Sequence, residues 1–198
     1  MNFLAHAYLS FYESDLLTGN MISDFVKGKK QFDYPDKVQA GIRLHRAIDA
    51  YTDGHRATAA IKELFRPAYR LYAGAMADVV YDHFLANDSN EFSSPAALEK
   101  FTLETYATLE KTKALFPEKF AAVFPHMRTH NWLYHYRTDE GIRKSFGGLG
   151  ARAKYIAETD TAFSLFLENK DVIRSNYAQF FPELKQYAAH VSHPWLTP

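Results

Sequence analysis

The sequence predicts an all-α fold, built as a single-domain helical bundle over residues 1–198. Apolar residues recur three or four positions apart through most of the chain, which is the period of one helix face. No segment of six or more residues alternates apolar and polar positions, as a half-buried strand would. Glycine (9) and proline (8) are few, and most of them fall where a helix could end. A chain of 198 residues suffices for one domain and is marginal for two.

Capping residues and prolines mark the predicted helix starts. In chain order these are Ser14 or Asp15, Pro35, the residue after the DGH break at 53–55, the serine before Pro95, Pro117 and the TDEG segment at 138–141. The corresponding ends are Val26 before KGKK at 27–30, Tyr51, Ala86 before the polar loop at 87–95, Phe116, Pro125 and the GGLG segment at 147–150. Breaks or kinks within helices are expected at Pro67, Gly74 and Pro182.

The charge balance and the missing cysteines exclude several classes of protein. Lys and Arg number 23, as do Asp and Glu, so the net charge of zero argues against a nucleic-acid partner held by bulk electrostatics. Without cysteine there is no disulfide scaffold and no zinc-thiolate site, so a metal site must use His, Asp, Glu and water. The N-terminus does not resemble a signal peptide, and no apolar run approaches the ~18 residues of a membrane span. A cytoplasmic protein without a membrane partner is expected.

Four segments place ionisable residues inside apolar helix patterns. They are NFLAHAYL with His6, GNMISDFV with Asp24, GIRLHRAIDAYTD with His45, Asp49 and Asp53, and MADVVYDHFL with Asp78, Asp82 and His83. Side chains four residues apart stack on one helix face, so the pair at 45 and 49 could reach one ion, as could the pair at 78 and 82. A divalent cation is the simplest partner for such groups, and ligands without thiolate suit manganese, iron, magnesium or zinc.

Structural interpretations of the same residues stay open at this point. His6 could be a core histidine satisfied by hydrogen bonds, and Asp24 could belong to a buried ion pair. The segment around His45 could be a solvated helix face, since two arginines beside it offer salt bridges at helical spacing. His126 and His130 are also four residues apart, but no carboxylate accompanies them, and they are expected to be surface or packing residues.

Five segments together resemble the acyl carrier protein phosphodiesterase family. They are MNFLAH at the start, GNMISDFVKG at 19–28, GIRLHRAIDAYTD at 41–53, DVVYDHFL at 78–85 and WLYHYR at 132–137. Members of that family hydrolyse the phosphodiester between a serine of acyl carrier protein and 4′-phosphopantetheine, and they need a divalent cation. They are regarded as distant relatives of the HD phosphohydrolases, so the resemblance implies an HD-domain-like bundle. Two positions depart from the pattern: Tyr8 replaces a histidine of many relatives, and Asp82 with His83 reverses the HD order.

The resemblance and the clustered residues together predict a metal-dependent phosphodiesterase that releases 4′-phosphopantetheine and leaves apo acyl carrier protein. The expected metal ligands are His6, Asp24, His45, Asp49, Asp82 and His83. Asp24 and His83 are also expected to act in catalysis, and Asp53 and Asp78 to support the ligands. Substrate contact is expected from Lys27, Arg46 and Arg137. The cofactor that the resemblance implies is Mn²⁺, with Mg²⁺ or Fe²⁺ as alternatives.

The partner that the resemblance implies is acyl carrier protein, a small acidic protein. A chain without net charge needs a local basic surface to dock it, and KGKK at 27–30 offers one, although these residues also suit a solvated helix end. Two other functions stay open: an HD-like phosphohydrolase for a nucleotide or another small phosphodiester, and a helical binding domain that is not an enzyme. The oligomeric state is not predicted.

Overall fold

Helices make up the structure from end to end. The computed structural model describes residues 1–196, and no strand occurs in that range, which confirms the all-α prediction. The α-helices are α1 (Phe3–Tyr8), α2 (Ser14–Ile22), α3 (Asp36–Gly54), α4 (Arg56–Tyr69), α5 (Ala73–Ala86), α6 (Pro95–Lys111), α7 (Glu118–Thr129), α8 (Trp132–His135), α9 (Asp139–Arg152), α10 (Asp160–Glu168) and α11 (Lys170–Ser192). Short 3₁₀ turns extend or join them at Ser23–Phe25, Gly28–Asp33, Arg70–Tyr72, Lys113–Leu115 and His193–Trp195.

The predicted helix starts are confirmed to within a residue or two, and side chains cap several of them. The side-chain oxygens of Ser94 and Thr138 each accept the main-chain N–H three residues further on, at 3.2 and 3.0 Å. Such bonds satisfy amide groups that have no partner within the first turn of a helix. Ser14 differs from the prediction, because it is the first residue of α2 rather than its cap.

Three helix ends or breaks that the sequence predicts at proline or glycine are wrong. Helix α7 continues past Pro125, α11 runs through Pro182, and α9 passes the GGLG segment at 147–150. An interior proline costs about 3 kcal/mol, but burial of each large apolar side chain contributes roughly 1.5–3 kcal/mol. The buried residues that flank the prolines are Phe124, Met127, Phe181 and Leu184. Burial of Phe146 has the same effect in α9, where each glycine costs about 1 kcal/mol.

The long helical pattern at 56–86 is split, as expected, but neither predicted residue causes the break. Arg70 has a φ of 47°, in the left-handed region, and this conformation ends α4. Pro67 lies inside the last turn of α4, and Gly74 lies inside the first turn of α5.

The buried hydrophobic side chains form one cluster that reaches from Met1 to Ala188. Aromatic residues make up 16% of the chain, and several of the largest, such as Tyr81, Tyr106 and Phe146, lie fully inside this cluster. No helix in the described range is long and apolar enough to cross a membrane.

Helices α2 and α3 cross at two glycines with their backbones in direct contact. A Cβ on Gly19 would lie 2.0 Å from the carbonyl oxygen of Val38, and a Cβ on Gly41 would lie 2.3 Å from that of Leu16. Any side chain at either position would therefore push the two helices apart. This crossing brings the C-terminal end of α2 onto the middle of α3, where His45 lies.

A buried carboxylate on α5 fixes the short helix α1. Asp82 accepts the main-chain N–H groups of Asn2, Leu4 and Ala5, at 3.3, 2.7 and 3.3 Å. These amides have no partner within α1, because they belong to its first turn. The contact sets the position of α1 and, with it, the position of His6 above α3.

Candidate metal centre

Two imidazoles and two carboxylates from three segments meet beside the α2–α3 crossing. We call this group the His/Asp cluster: His6 of α1, Asp24 of the 3₁₀ turn after α2, and His45 and Asp49 of α3. His45 Nε2 lies 3.2 Å from Asp24 Oδ1 and 3.1 Å from Asp49 Oδ2. His6 Nε2 lies 3.2 Å from Asp49 Oδ1. One ligand atom each from His6, His45 and Asp49 falls within 4.8 Å of the others, so one ion could bind all three.

Main-chain and side-chain bonds hold the two histidine rings in place. The rings of His6 and His45 stack, with centroids 3.8 Å apart and planes inclined by 12°. His45 Nδ1 donates a hydrogen bond to the carbonyl oxygen of Asn20, 2.8 Å away, which directs Nε2 toward the two carboxylates. Such an outer hydrogen bond fixes the tautomer of metal-binding histidines. The Asn20 side chain donates to the carbonyl oxygen of His6, at 2.8 Å, and so joins α2 to α1.

Buried side-chain nitrogen and oxygen atoms without a hydrogen-bond partner, in the described part of the chain, are confined to this site. They are both ring nitrogens of His6 and the side-chain oxygen of Asn20. His6 Nε2 lies near Asp49 without the alignment of a hydrogen bond. A buried polar atom without a partner costs about 1–3 kcal/mol, and a ligand bound between the two side chains would remove that cost. The donor set of imidazole and carboxylate therefore fits a divalent cation.

The charges of the His/Asp cluster are strongly perturbed. Burial and, to a smaller extent, the neighbouring His45 lower the pKa of His6 to about 4, so His6 is neutral at pH 7. Burial also opposes protonation of His45, but the hydrogen bonds with Asp24 and Asp49 outweigh it and raise the pKa to about 9. The His45 hydrogen bond lowers the pKa of Asp24. Burial disfavours ionisation of Asp49, yet the two histidines and the Met1 ammonium hold its pKa far below the usual range.

The α-amino group of Met1 forms a buried ion pair beside the cluster. It lies 2.9 Å from Asp78 Oδ1 and 3.3 Å from Asp49 Oδ1. Burial alone would lower the pKa of this amine, but the two carboxylates raise it to about 10. Asp78, which the sequence predicts as a support for a ligand, thus contacts the cluster through the ammonium group rather than through a histidine.

The structure does not bring Asp82 and His83 into the His/Asp cluster. The Asp82 carboxylate is occupied by the three amides of α1, and burial raises its pKa to about 7. His83 Nδ1 donates to the carbonyl oxygen of Tyr136, 2.9 Å away, and its ring packs edge-on against Phe84 and Phe166. Residues next to each other on a helix point about 100° apart, which explains why the pair faces different neighbours.

The remaining predicted site residues differ in their distance from the cluster. Asp53 is exposed and pairs with Lys62 at 2.6 Å. Of the predicted substrate contacts, Arg46 has the clearest link to the cluster. Its guanidinium donates a hydrogen bond to the carbonyl oxygen of Val26, at 3.4 Å, and Val26 is two residues after Asp24. Lys27, which follows Val26 directly, is exposed. The Arg137 guanidinium instead lies over the Tyr134 ring, 5.3 Å from its centroid.

Sequence reasoning missed the part that Asn20 plays. This residue is fully buried, and it contacts His6 through its side chain and His45 through its carbonyl oxygen. An amide inside the apolar segment GNMISDFV is a signal that could have identified it, since a buried amide needs hydrogen-bond partners. The partners themselves depend on the α2–α3 crossing, which the sequence does not reveal.

A family model and several curated proteins that are similar to this chain carry the same family name. The model of the family described as "Acyl carrier protein phosphodiesterase" matches residues 1–184. Curated relatives of that name include one of Klebsiella pneumoniae subsp. pneumoniae, which is 29% identical over 95% of this chain and 97% of the relative. The relative of Escherichia coli O6:H1 is 29% identical over 96% of this chain and 98% of its own length. That of Enterobacter sp. is 30% identical over 93% of this chain and 95% of its own length. No solved structure matches the chain. The likeness of the bundle to HD enzymes therefore stays a prediction.

Proposed function

The chain belongs to the acyl carrier protein phosphodiesterase family, and from this premise we propose that it is a metal-dependent phosphodiesterase that hydrolyses 4′-phosphopantetheine from holo acyl carrier protein. The observation that supports the metal dependence is the His/Asp cluster, where the buried ring nitrogens of His6 have no hydrogen-bond partner in the described range. Family membership argues against a non-enzymatic binding domain. The cytoplasmic location and the single domain over residues 1–198 stay predictions.

Each member of the His/Asp cluster has a distinct role in this proposal. His6 and His45 are nearly fully buried and offer ring nitrogens on a rigid wall. Asp49 contacts both rings and holds them in register. Asp24 is the most exposed member, with 69% of its side chain accessible. This exposure supports the proposal that its carboxylate orients an attacking water. A bound divalent cation supplies the Lewis acidity that draws electron density from the phosphodiester.

The donor set also bears on the identity of the cation. Two imidazoles with two carboxylates suit Mn²⁺ or Fe²⁺ better than Mg²⁺, which prefers oxygen ligands and retains its waters. We therefore propose Mn²⁺, with Fe²⁺ or Mg²⁺ as alternatives. Asp82 and His83 stay predictions as metal ligands, as does His83 in catalysis. Their contacts favour a role in holding α1 and Tyr136 in place.

The direct test is hydrolysis of holo acyl carrier protein by the purified protein with Mn²⁺. Intact-mass spectrometry should follow the loss of 4′-phosphopantetheine and the appearance of the apo protein. A chelator in excess should stop the reaction, and added Mn²⁺ should restore it. Hydrolysis of a small chromogenic phosphodiester without any attack on the holo protein would instead favour the HD-like phosphohydrolase.

Manganese should raise the melting temperature of the protein through the His/Asp cluster. Binding to the folded state alone stabilises it by about 2.7 kcal/mol when the free ion is at 100 times its Kd, which is about 5–11 °C for a chain of this size. Differential scanning fluorimetry at increasing Mn²⁺ measures the shift. His45→Ala should abolish it, whereas His126→Ala, at an exposed histidine of α7, should keep it. An equal shift in both variants would contradict binding at the cluster.

The basic segment beside Asp24 is the proposed docking surface for the acidic carrier protein. Lys27, Lys29 and Lys30 are exposed on or next to the 3₁₀ turn that follows. Arg46 holds this turn on α3 through Gln31, at 2.7 Å. The lysines therefore project beside the cluster rather than at the end of a free loop.

Catalysis should be salt-sensitive if these lysines dock the substrate. Charge pairs across an exposed interface weaken as the Debye length falls from about 10 Å at 0.1 M salt to about 3 Å at 1 M. Steady-state kinetics should show KM rising with salt, and glutamine at all three lysines should raise KM at low salt and flatten this dependence. A matched triple at exposed positions of another region, Lys100, Lys111 and Lys113, serves as control. A KM that is equally salt-sensitive in both triples would argue against docking through the basic segment.

A further inference from the structure

An open groove of about 810 Å³ lies between the start of α1 and the helices α7 to α9. Its apolar lining includes Phe3, Val123 and Trp132. Its polar lining includes His130 and His135 together with three charged residues of α9. The volume falls in the range of small-molecule sites, about 300–1,000 Å³. The groove contains no residue of the His/Asp cluster or of the basic segment, so the proposed function leaves it without a role.

The groove begins one helical turn from the His/Asp cluster. Asn2, which lines it, precedes His6 by four residues, or about 6 Å along α1. Helix α7 makes a second connection: the Phe120 ring packs against that of Phe25, with centroids 5.4 Å apart, and Phe25 is the neighbour of Asp24. Val123 of the same helix lines the groove. The groove and the cluster are thus connected through α1 and through the contact of α7 with Phe25.

The lining combines apolar surface with free hydrogen-bonding groups. Trp132, at the first position of α8, lines the groove and is 38% exposed, so part of this side chain is accessible to a ligand. Within the described residues the imidazoles of His130 and His135 have no hydrogen bond or ion pair. Each imidazole can both donate and accept. A ligand with amide groups and a small apolar body would satisfy both kinds of surface.

We propose that this groove binds the pantetheine arm of the substrate while its phosphodiester lies at the His/Asp cluster. The arm carries two amides and a pair of geminal methyl groups in a narrow chain, which match the imidazoles and the apolar wall. The inference rests on the proposed function, which supplies the phosphodiester end. A carrier-protein surface is the competing occupant, but it would cover a broad face rather than enter a concave groove.

Pantetheine without its phosphate is the probe that isolates the groove from the cluster. Trp132 and Trp195 are the tryptophans of the chain, so Trp195→Phe leaves Trp132 as the single reporter. Titration of pantetheine into this protein should change the Trp132 fluorescence in a saturable way at millimolar concentration or below. No saturable change up to several millimolar, with no binding by calorimetry, would overturn the inference.

Two adjacent glycines of α9 give a matched pair of variants. Gly148 lines the groove and Gly147 does not, and a Cβ at either position meets no atom within 4 Å. Gly148→Phe should therefore fill the groove without disturbing the helix, whereas Gly147→Phe should place its ring outside. We expect pantetheine binding to weaken at least tenfold in the first variant, with a similar rise in KM for holo acyl carrier protein, and to stay unchanged in the second. Equal effects in both variants would count against the groove.

Failure of the inference and failure of the proposed function give different results. If the wild-type protein does not hydrolyse holo acyl carrier protein but still binds pantetheine in a way that Gly148→Phe blocks, the function fails and the groove assignment stands. If the wild-type protein hydrolyses the holo protein while Gly148→Phe leaves KM unchanged, the groove assignment fails. Apo acyl carrier protein has no arm, so a change in Trp132 fluorescence with apo protein equal to that with holo protein would assign the groove to the protein surface instead.

Discussion

Replacing Asp49 with asparagine should lower the hydrolysis of holo acyl carrier protein by at least about 100-fold, since even supporting groups of metal sites are worth 10–100-fold. Among the residues that the structure describes, Asp49 is the one carboxylate within 3.2 Å of both histidine rings, and it also contacts the Met1 ammonium. The amide keeps the size of the side chain but removes its charge, so the two imidazoles and any cation lose their shared anion. Initial rates at saturating Mn²⁺, read by intact mass, measure the effect.

The control for this variant lies on the same helix. Asp36→Asn changes an exposed carboxylate in the first turn of α3 and should leave the rate within about twofold of wild type, because loss of a surface charge there costs only about 0.3–1 kcal/mol of stability. The affinity for Mn²⁺, measured by electron paramagnetic resonance of the free ion, should fall in Asp49→Asn and not in Asp36→Asn. An Asp49→Asn protein that keeps wild-type affinity and rate would remove the His/Asp cluster as the catalytic centre.

Replacing Gly41 with alanine should destabilise the protein by about 3 kcal/mol, near the upper end of the cost of inserting a methyl group into a packed interior. The added Cβ would lie 2.3 Å from the carbonyl oxygen of Leu16, which is a main-chain atom and cannot turn aside. The two helices must separate, and the hydrogen bond from His45 Nδ1 to the carbonyl oxygen of Asn20 must lengthen with them. For a chain of this length the loss is about 6–12 °C in Tm, and manganese affinity should fall as well.

A second glycine of the same helix provides the comparison. Gly54 is the last residue of α3, and a Cβ there meets no atom within 4 Å. Gly54→Ala should leave Tm unchanged or raise it slightly, because alanine loses about 0.4–1 kcal/mol less backbone entropy on folding. Thermal unfolding followed by circular dichroism measures both variants. If Gly41→Ala melts at the wild-type temperature, the close crossing of α2 and α3 is wrong.

Helix periodicity predicted the fold class, and capping residues and prolines predicted the helix starts, because both depend on local sequence. The ends at Pro125 and Pro182 were wrong, because the cost of an interior proline is local while the burial that offsets it is tertiary. In the candidate site, the spacing of His45 and Asp49 predicts that the pair can reach one ion, and in the structure His45 Nε2 lies 3.1 Å from Asp49 Oδ2. Their role as metal ligands stays a prediction.

The sequence could not reveal which partner each buried carboxylate has. In the sequence, Asp24 and Asp82 are both ionisable residues within apolar helix patterns. In the structure, Asp24 is exposed and contacts His45, whereas Asp82 is buried and satisfies the amides of α1. Burial and partner both follow from how the helices cross, and the crossing depends on Gly19 and Gly41, whose importance lies in the side chain that they lack.

The short helix α1 couples metal binding at the His/Asp cluster to ligand binding in the groove. Its six residues are too few to be helical alone, so its fold depends on the contacts with Asp82. The same helix carries His6 of the His/Asp cluster. Its first residue, Phe3, and the preceding residue, Asn2, line the groove. Ligands that bind at either place would stabilise one docked form of α1. Thermodynamic reciprocity then requires that metal and pantetheine each strengthen the affinity for the other by the same factor.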